Sequence, residues 1–261
     1  MKEQGTGNGW DRLRRFTQAR IALGRSGNSM PTQAVLAFGL AHAQARDAVH
    51  LPMQLDQILE ELQAAGYSPL CVESEAMDRT AYLSQPHLGR RLRDPSRAVL
   101  ADFAGAHPSQ LAVVIADGLS AVAPERHALP LLKLMSTQLQ DWKIGPIVVA
   151  QQARVALGDE IGEILDAEAV VMLIGERPGL SSPDSLGIYL TYRPRIGRTD
   201  AERNCISNVR PEGLSYEAAL HKLSFLLEGA RRLQATGVML HDETDEVHLL
   251  PPSSRGSAGL L

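Results

Sequence analysis

A glutamate at the end of a buried strand is the residue of this 261-residue sequence best placed to do chemistry. The run Val170-Val171-Met172-Leu173-Ile174 passes directly into Gly175-Glu176-Arg177-Pro178-Gly179. Five successive apolar residues predict a strand covered on both faces, and the abrupt change in composition puts charged side chains at its carboxyl end. Open α/β sheets bind their ligands at that end. A carboxylate so close to a buried strand must reach water or find donors, so Glu176 is a candidate acceptor for a ligand; the competing reading is an ion pair with Arg177 or another arginine. Asp117, followed by Gly118 at the end of the apolar run Leu111 to Ala116, is a second carboxylate in an equivalent position. It offers a catalytic acid, although Asp-Gly after a strand is more often a turn.

These carboxylates are useful only if strands and helices bring their loops together. From residue 111 the pattern alternates: a strand at Leu111 to Ala116, a helical stripe of Leu132, Met135, Leu139 and Trp142, a strand at Pro146 to Ala150, a helix carrying Ile161, Ile164 and Leu165, and the strand at Val170 to Ile174. A further strand follows at Gly187 to Tyr192, and a long amphipathic helix at Tyr216 to Leu233. Right-handed crossovers then place the loops at 117–120, 151–155 and 175–179 on one edge. The fold class expected is α/β, a mostly parallel Rossmann-like sheet with flanking helices, preceded by a mainly helical N-terminal region. In that region Pro31 opens an alanine-rich helix, Leu55, Ile58, Leu59 and Leu62 mark a second closed by Gly66, and Ala98 to Ala104 a third stopped by Gly105 and Pro108. The organisation read is a flexible start at 1–16 with Gly5, Gly7 and Gly9, a helical region at 17–108, the α/β domain at 109–240, and a loose acidic and Pro/Ser-rich tail at 241–261.

Composition narrows the function classes. The net charge of −4 gives no electrostatic reason to expect a nucleic acid. The two cysteines, Cys71 and Cys205, lie far apart, which is neither a disulfide framework nor zinc spacing and fits a reducing, cytoplasmic compartment. No apolar run approaches the roughly 20 residues of a membrane helix. The glycine-rich dinucleotide fingerprint, the phosphate loop ending in Lys-Ser or Lys-Thr, the His-Glu-x-x-His pair and the Gly-x-Ser-x-Gly elbow are all missing, so no phosphate cradle, zinc peptidase or serine nucleophile is encoded.

Several short segments carry a more specific signal in combination. They are Ala19-Arg20-Ile21 with Gly24-Arg25, Pro31-Thr32-Gln33-Ala34, Asp47-Ala48-Val49, Tyr82-Leu83 with Leu88-Gly89-Arg90-Arg91-Leu92, and Asp117-Gly118-Leu119-Ser120-Ala121. Downstream come Arg154-Val155 through Glu163, Val170 to Leu180, Tyr192-Arg193-Pro194-Arg195 and Cys205-Ile206-Ser207-Asn208. In this order, across residues 17–240, the sequence resembles the small subunit of ethanolamine ammonia-lyase.

That resemblance implies the non-autonomous half of an adenosylcobalamin-dependent lyase that converts ethanolamine to acetaldehyde and ammonia through radicals. A large subunit with which it forms a hetero-oligomer would carry the substrate site, so no catalytic residue is assigned to this chain. By position, the family's cobalamin contacts fall on Val155, Glu176 and Cys205, each matching in residue type. Cys205 lies among Arg203, Asn204, Ser207 and Asn208, surroundings typical of an exposed loop. No metal ligand is nominated: the Asp-x-His-x-x-Gly motif is absent, so the cofactor is expected to keep its own benzimidazole as lower ligand. Some family members carry an extended helical leader associated with enclosure in a bacterial microcompartment; the segment before Thr17 is short and Gly-rich and gives that localisation no support. Setting the resemblance aside, the residues leave open a nucleotide-binding α/β oxidoreductase and a structural assembly subunit without cofactor contact.

Overall fold

The runs Leu111–Ala116 and Ala169–Gly175 contain no polar side chain, and both become strands buried along their whole length in the middle of a six-stranded sheet. The structure is a computed structural model and describes residues 9–17, 19–104 and 110–244. In chain order its main elements are α1 (Gly9–Leu13), α2 (Thr32–His50), α3 (Leu55–Ala64), β1 (Leu70–Glu73), α4 (Arg79–Ser84), α5 (Asp94–Ala104), β2 (Leu111–Ala116) and α6 (Val122–Gln138). There follow β3 (Ile144–Gln151), α7 (Leu157–Ile164), β4 (Ala169–Gly175), β5 (Leu186–Tyr192), β6 (Asn204–Val209) and α8 (Tyr216–Leu233). The glycines at 5 and 7, the stop signals Gly105 and Pro108, and the tail beyond Thr244 lie outside the described residues.

The strand order is β1-β3-β2-β4-β5-β6. The pairings β1–β3, β3–β2 and β2–β4 are parallel, whereas β5 is antiparallel to both neighbours, so β5 alone runs against the rest. The expected mostly parallel sheet with flanking helices is therefore present. Its reversed strand has a simple cause: residues 176–185 join β4 to β5, too short a link for a crossover of about a dozen residues or more, and the chain doubles back.

The period of two along β2 supplies both faces. Leu111, Val113 and Ile115 pack with Leu131, Leu132 and Met135 of α6 and Leu223 and Leu227 of α8; Ala112, Val114 and Ala116 pack with Leu157 and Ile161 of α7 and Leu100 of α5. Since β3 and β4 lie on opposite sides of β2, the chain's direction of travel across the sheet reverses there. Such a switch leaves a crevice beyond the carboxyl ends of the strands.

Several elements differ from the sequence expectation: α1 occupies part of the stretch read as a flexible start, α4 was not predicted, and α5 begins at Asp94, ahead of Ala98. α6 begins at Val122, ahead of the predicted stripe, and accommodates Pro130 inside the helix. β1 joins the sheet at the edge next to β3, although its four residues include an exposed Cys71. β6 is an edge strand where a loop was expected; only Ile206 and Val209 turn inward, and Asn208 at φ +59° lies where the register with β5 shifts between Ile206 and Val209. α2 is the predicted alanine-rich helix, but Ala41 and Ala48 are its only buried residues, while Val35, Leu36, Phe38 and Leu40 stand exposed.

Candidate functional site

The rim predicted from three loops exists. The ends of β2, β3 and β4 surround a cavity of about 580 Å³, to which β2 contributes Gly118 and Leu119, β3 Arg154 and Val155, and β4 Ile174 to Arg177. Tyr82 of α4, Tyr189 of β5 and Ser207 of β6 complete the wall.

Two glycines let the loops meet. A Cβ on Gly175 would lie 1.9 Å from the Ser120 carbonyl oxygen and 2.5 Å from that of Asp117. A Cβ on Gly118, whose φ is +53°, would lie 2.2 Å from the Gly175 oxygen. The two backbones are in contact, and the Leu119 amide donates to the Gly175 carbonyl at 2.9 Å. Neither position has room for a side chain.

Asp117 is not the acid that its position offered. Its carboxylate is buried, with 1% accessibility, and points toward the next loop. It accepts from the amides of Gln152 at 2.9 Å and Ala153 at 3.0 Å and from Arg79 Nη1 at 3.3 Å. Arg79 also donates to the carbonyls of Gly118 and Val49, at 2.9 and 2.7 Å. Burial pushes the Asp117 carboxyl up, against the pull of the Ala153 and Gln152 amides and of Arg79. Asp117-Gly118 is a turn, as the commoner reading held, and its carboxylate also clamps the segment that carries Val155.

Glu176 lies half-buried on the cavity wall. Its Oε2 accepts from Ser185 Oγ and from the Asn208 amide, the latter at 3.1 Å, and its own amide donates to the Ser185 carbonyl at 2.9 Å. Among the described residues no arginine pairs with it, so the ion-pair alternative fails, and none donates a hydrogen bond to Oε1. Gly187 makes room: a Cβ there would sit 3.1 Å from Glu176 Cγ and 3.2 Å from Oε1.

Ser185 is in turn fixed by its neighbours. Asp184 receives Arg210 Nη1 at 2.7 Å and Arg126 Nη1 at 2.9 Å, with His127 Nε2 at 3.4 Å, while Ser120 Oγ donates to the Pro183 carbonyl at 2.7 Å. Burial opposes the charge on Asp184, but Arg126, Arg210 and His127 hold its carboxyl below the usual range. Burial lowers His127, with Asp184 pulling the other way.

Val155 lines the cavity, partly buried and packed against the core that includes Leu157 and Ile161. Cys205 stands beside the cavity rather than on its wall. It is exposed on β6, directly opposite Tyr189, with Sγ 3.3 Å from the Oγ of the wall residue Ser207. Burial, with Cys205 adding to it, raises the Tyr189 hydroxyl above its ordinary value. Val155 and Glu176 are thus brought together and Cys205 is set next to them. Sequence reasoning placed the loops of Arg154 and Arg177 on the rim without singling those residues out, and it missed Tyr82, Tyr189, Ser185 and Ser207. Tyr189 was findable, since the alternation that buries Ile188 and Leu190 turns it to the opposite face.

A mainly parallel α/β sheet with an open pocket at the carboxyl ends of its strands defines a ligand-binding class of protein, and more than one chemistry fits that class. The chain belongs to the ethanolamine ammonia-lyase light-chain family: the sequence model described as Ethanolamine ammonia-lyase light chain (EutC) matches residues 7–241. It is similar to the ethanolamine ammonia-lyase small subunit of Ralstonia nicotianae, 56% identical over 254 residues covering 96% of this chain and 94% of that protein. The small subunit of Azotobacter vinelandii is 54% identical over 252 residues, covering 95% and 93%. That of Pseudomonas fluorescens is 56% identical over 240 residues, covering 90% and 88%.

Proposed function

We propose that this chain works with a large subunit to convert ethanolamine to acetaldehyde and ammonia, and that its own task is to form one wall of an adenosylcobalamin site at the carboxyl edge of the sheet. One observation carries the reading. Glu176 is held through one oxygen by Ser185 and Asn208, and its other oxygen is left for a ligand beside the apolar Val155.

The residues fit such a cofactor. A corrin is a broad apolar plate fringed by amides, so its wall needs apolar surface with a few acceptors and donors at the edge. Leu119, Val155 and Ile174 supply the first, and Glu176 Oε1 with the Tyr189 and Ser207 hydroxyls the second. Pockets of roughly 300–1,000 Å³ enclose drug-sized ligands, and a corrinoid is far larger, so a cavity of about 580 Å³ takes only part of it. The remainder falls to a partner.

When bound, adenosylcobalamin supplies the radical chemistry. This chain's residues bind and orient. Glu176 would accept an amide N–H, Val155 would press on the ring edge, and Cys205 with Tyr189 would border it on the β6 side. Exclusion of water would come from the apolar wall as the partner closes over it. The exposed apolar residues of α2 support a partner of this kind, because a helix apolar around most of its surface is ordinarily covered. No helix among the described residues is long and apolar enough to cross a membrane. A nucleotide cofactor is disfavoured by the packing of Gly118 on Gly175, which spends on each other the backbone surfaces that a phosphate would need.

The test is to co-express the chain with a large subunit, purify through a tag on this chain, and titrate with adenosylcobalamin. The pair is expected to bind the cofactor and release ammonia from ethanolamine while neither chain does so separately. Glu176→Gln is expected to raise the apparent cofactor constant about tenfold with a smaller effect on turnover. An unchanged constant refutes Glu176 as a contact.

A further inference from the structure

Two guanidinium groups line the cavity, and neither forms an ion pair among the described residues. Arg154 is the better held. Its guanidinium carbon lies 4.3 Å from the centroid of the Tyr82 ring, its Nη2 donates to the Tyr82 carbonyl at 3.4 Å, and its amide donates to the Gly89 carbonyl at 2.7 Å. Gly89 is required there, since a Cβ would come within 3.0 Å of Arg154 Cγ and of the Gln152 oxygen. Tyr82 is itself fully buried, donates its hydroxyl to the Ala153 carbonyl at 3.0 Å and is flanked by Arg79 at 4.8 Å.

The two arginines stacked against Tyr82 are not equivalent. Arg79 has Asp117 as its counter-ion; Arg154 has no ion-pair partner among the described residues, and its Nε is buried without an acceptor. Arg177, from the neighbouring loop, is exposed on the same cavity and likewise unpaired among the described residues. Glu176 is the one carboxylate on this wall, and its Oε2 is already taken by Ser185 and Asn208. The wall therefore carries more positive than negative charge. Ser185 and Asn208 are neutral donors, so one carboxylate faces two guanidinium groups: a ligand with only neutral amides at its edge leaves one positive charge in excess, whereas an anionic oxygen compensates it and accepts from the guanidinium N–H groups.

We propose that Arg154 and Arg177 form an anion subsite within this cavity that receives the phosphodiester of the corrinoid's nucleotide loop. The proposal rests on the corrinoid reading given above. The phosphodiester is the anionic group of adenosylcobalamin, whose other peripheral side chains are neutral amides. It is therefore the part of the cofactor that this pair can recognise by charge. Free nucleotides carry the same chemistry, and the experiment separates the two sources.

The complex with the large subunit is titrated spectroscopically with cobinamide, which lacks phosphate and base, and with cobinamide phosphate, which adds the phosphate alone. The native complex is expected to bind cobinamide phosphate about ten- to a hundredfold more tightly. Arg154→Gln is expected to narrow that gap to less than about threefold while leaving cobinamide affinity unchanged. Arg177→Gln, at an exposed side chain that bonds to no other side chain or carbonyl among the described residues, is expected to narrow it partly. If Arg154→Gln loses cobinamide as well, Arg177→Gln decides: a narrowed gap supports the subsite and an unchanged one overturns it. Equal affinity of the native complex for both compounds, or a gap that survives both substitutions, overturns it. So does Arg154-dependent displacement of cobinamide phosphate by adenosine diphosphate, which assigns the cations to a free nucleotide. Failure of the native complex to bind either corrinoid is a different result and refutes the corrinoid reading itself.

Discussion

Replacing Asp117 by Asn separates a clamp from a catalytic acid, because the two roles respond oppositely. In the structure three donors converge on the carboxylate: the Gln152 amide and Arg79 Nη1 on Oδ2, and the Ala153 amide on Oδ1. An asparagine has one acceptor oxygen. Its less costly orientation keeps that oxygen at the Oδ2 position and turns the NH2 group onto the Ala153 N–H, donor against donor. The loss is one buried amide left without an acceptor, about 1–3 kcal/mol, together with the charge assistance of the Arg79 bond, about 1 kcal/mol. Asp117→Asn is therefore expected to lower stability by about 2–4 kcal/mol, or roughly 5–15 °C in melting temperature for a chain of this size. Differential scanning calorimetry of the purified variant beside the native protein reads it directly. A catalytic acid without structural work gives the opposite pattern, with melting unchanged and turnover abolished. A melting temperature within about 2 °C of native refutes the clamp.

The remaining expectations concern the other parts of the rim. Gly175→Ala drives a Cβ into two carbonyl oxygens that cannot rotate away, and is expected to cost about 3 kcal/mol or more in urea unfolding; Gly158→Ala, whose nearest neighbour would be Met172 Sδ at 3.4 Å, is expected to stay close to native. A Gly175→Ala variant as stable as Gly158→Ala contradicts the close approach of the β2 and β4 loops. Ser185→Ala removes one of the two donors that orient Glu176, and is expected to raise the cofactor constant about threefold to tenfold with little change in melting; an unmoved constant removes Ser185 from the positioning of Glu176. Arg231 donates to both oxygens of Glu168 at 2.9 Å and holds its carboxyl below the ordinary range. A depressed folded-state value means that the pair stabilises above the unfolded glutamate value of about 4.3 and that this contribution is lost as pH falls through the lower folded value. The melting difference between the native protein and Glu168→Gln is expected to be present near neutral pH and to close in acid, and a pH-independent difference counts against the ion pair.

What the sequence made legible follows from how strongly each element patterns its residues. β2 and β4 are buried on both faces and read as uninterrupted apolar runs; α8 keeps a polar face and shows its stripe from Tyr216 to Leu233. β1 and β6 are edge strands with few inward residues, Val72 in one and Ile206 and Val209 in the other, too few to sustain an alternation. The reading of Cys205 as a loop residue failed for that reason, although its exposure came out as expected. Glu176 was visible as a carboxylate at a strand end, yet Ser185 was not visible as its partner, because β5 brings Ser185 back by reversing direction. The length of the link between β4 and β5 held that information. Arg154 fell within the 151–155 loop placed on the rim, but its stacking against Tyr82 could not be read, because Tyr82 comes from an element far away in the chain.

The most direct measurement is a structure of the complex with its large subunit and adenosylcobalamin. Corrin density against Val155 and Glu176, with Cys205 at its border and an amide nitrogen within hydrogen-bonding distance of Glu176 Oε1, is the expected result. A cofactor enclosed wholly by the large subunit, with this cavity filled by protein or water, contradicts it.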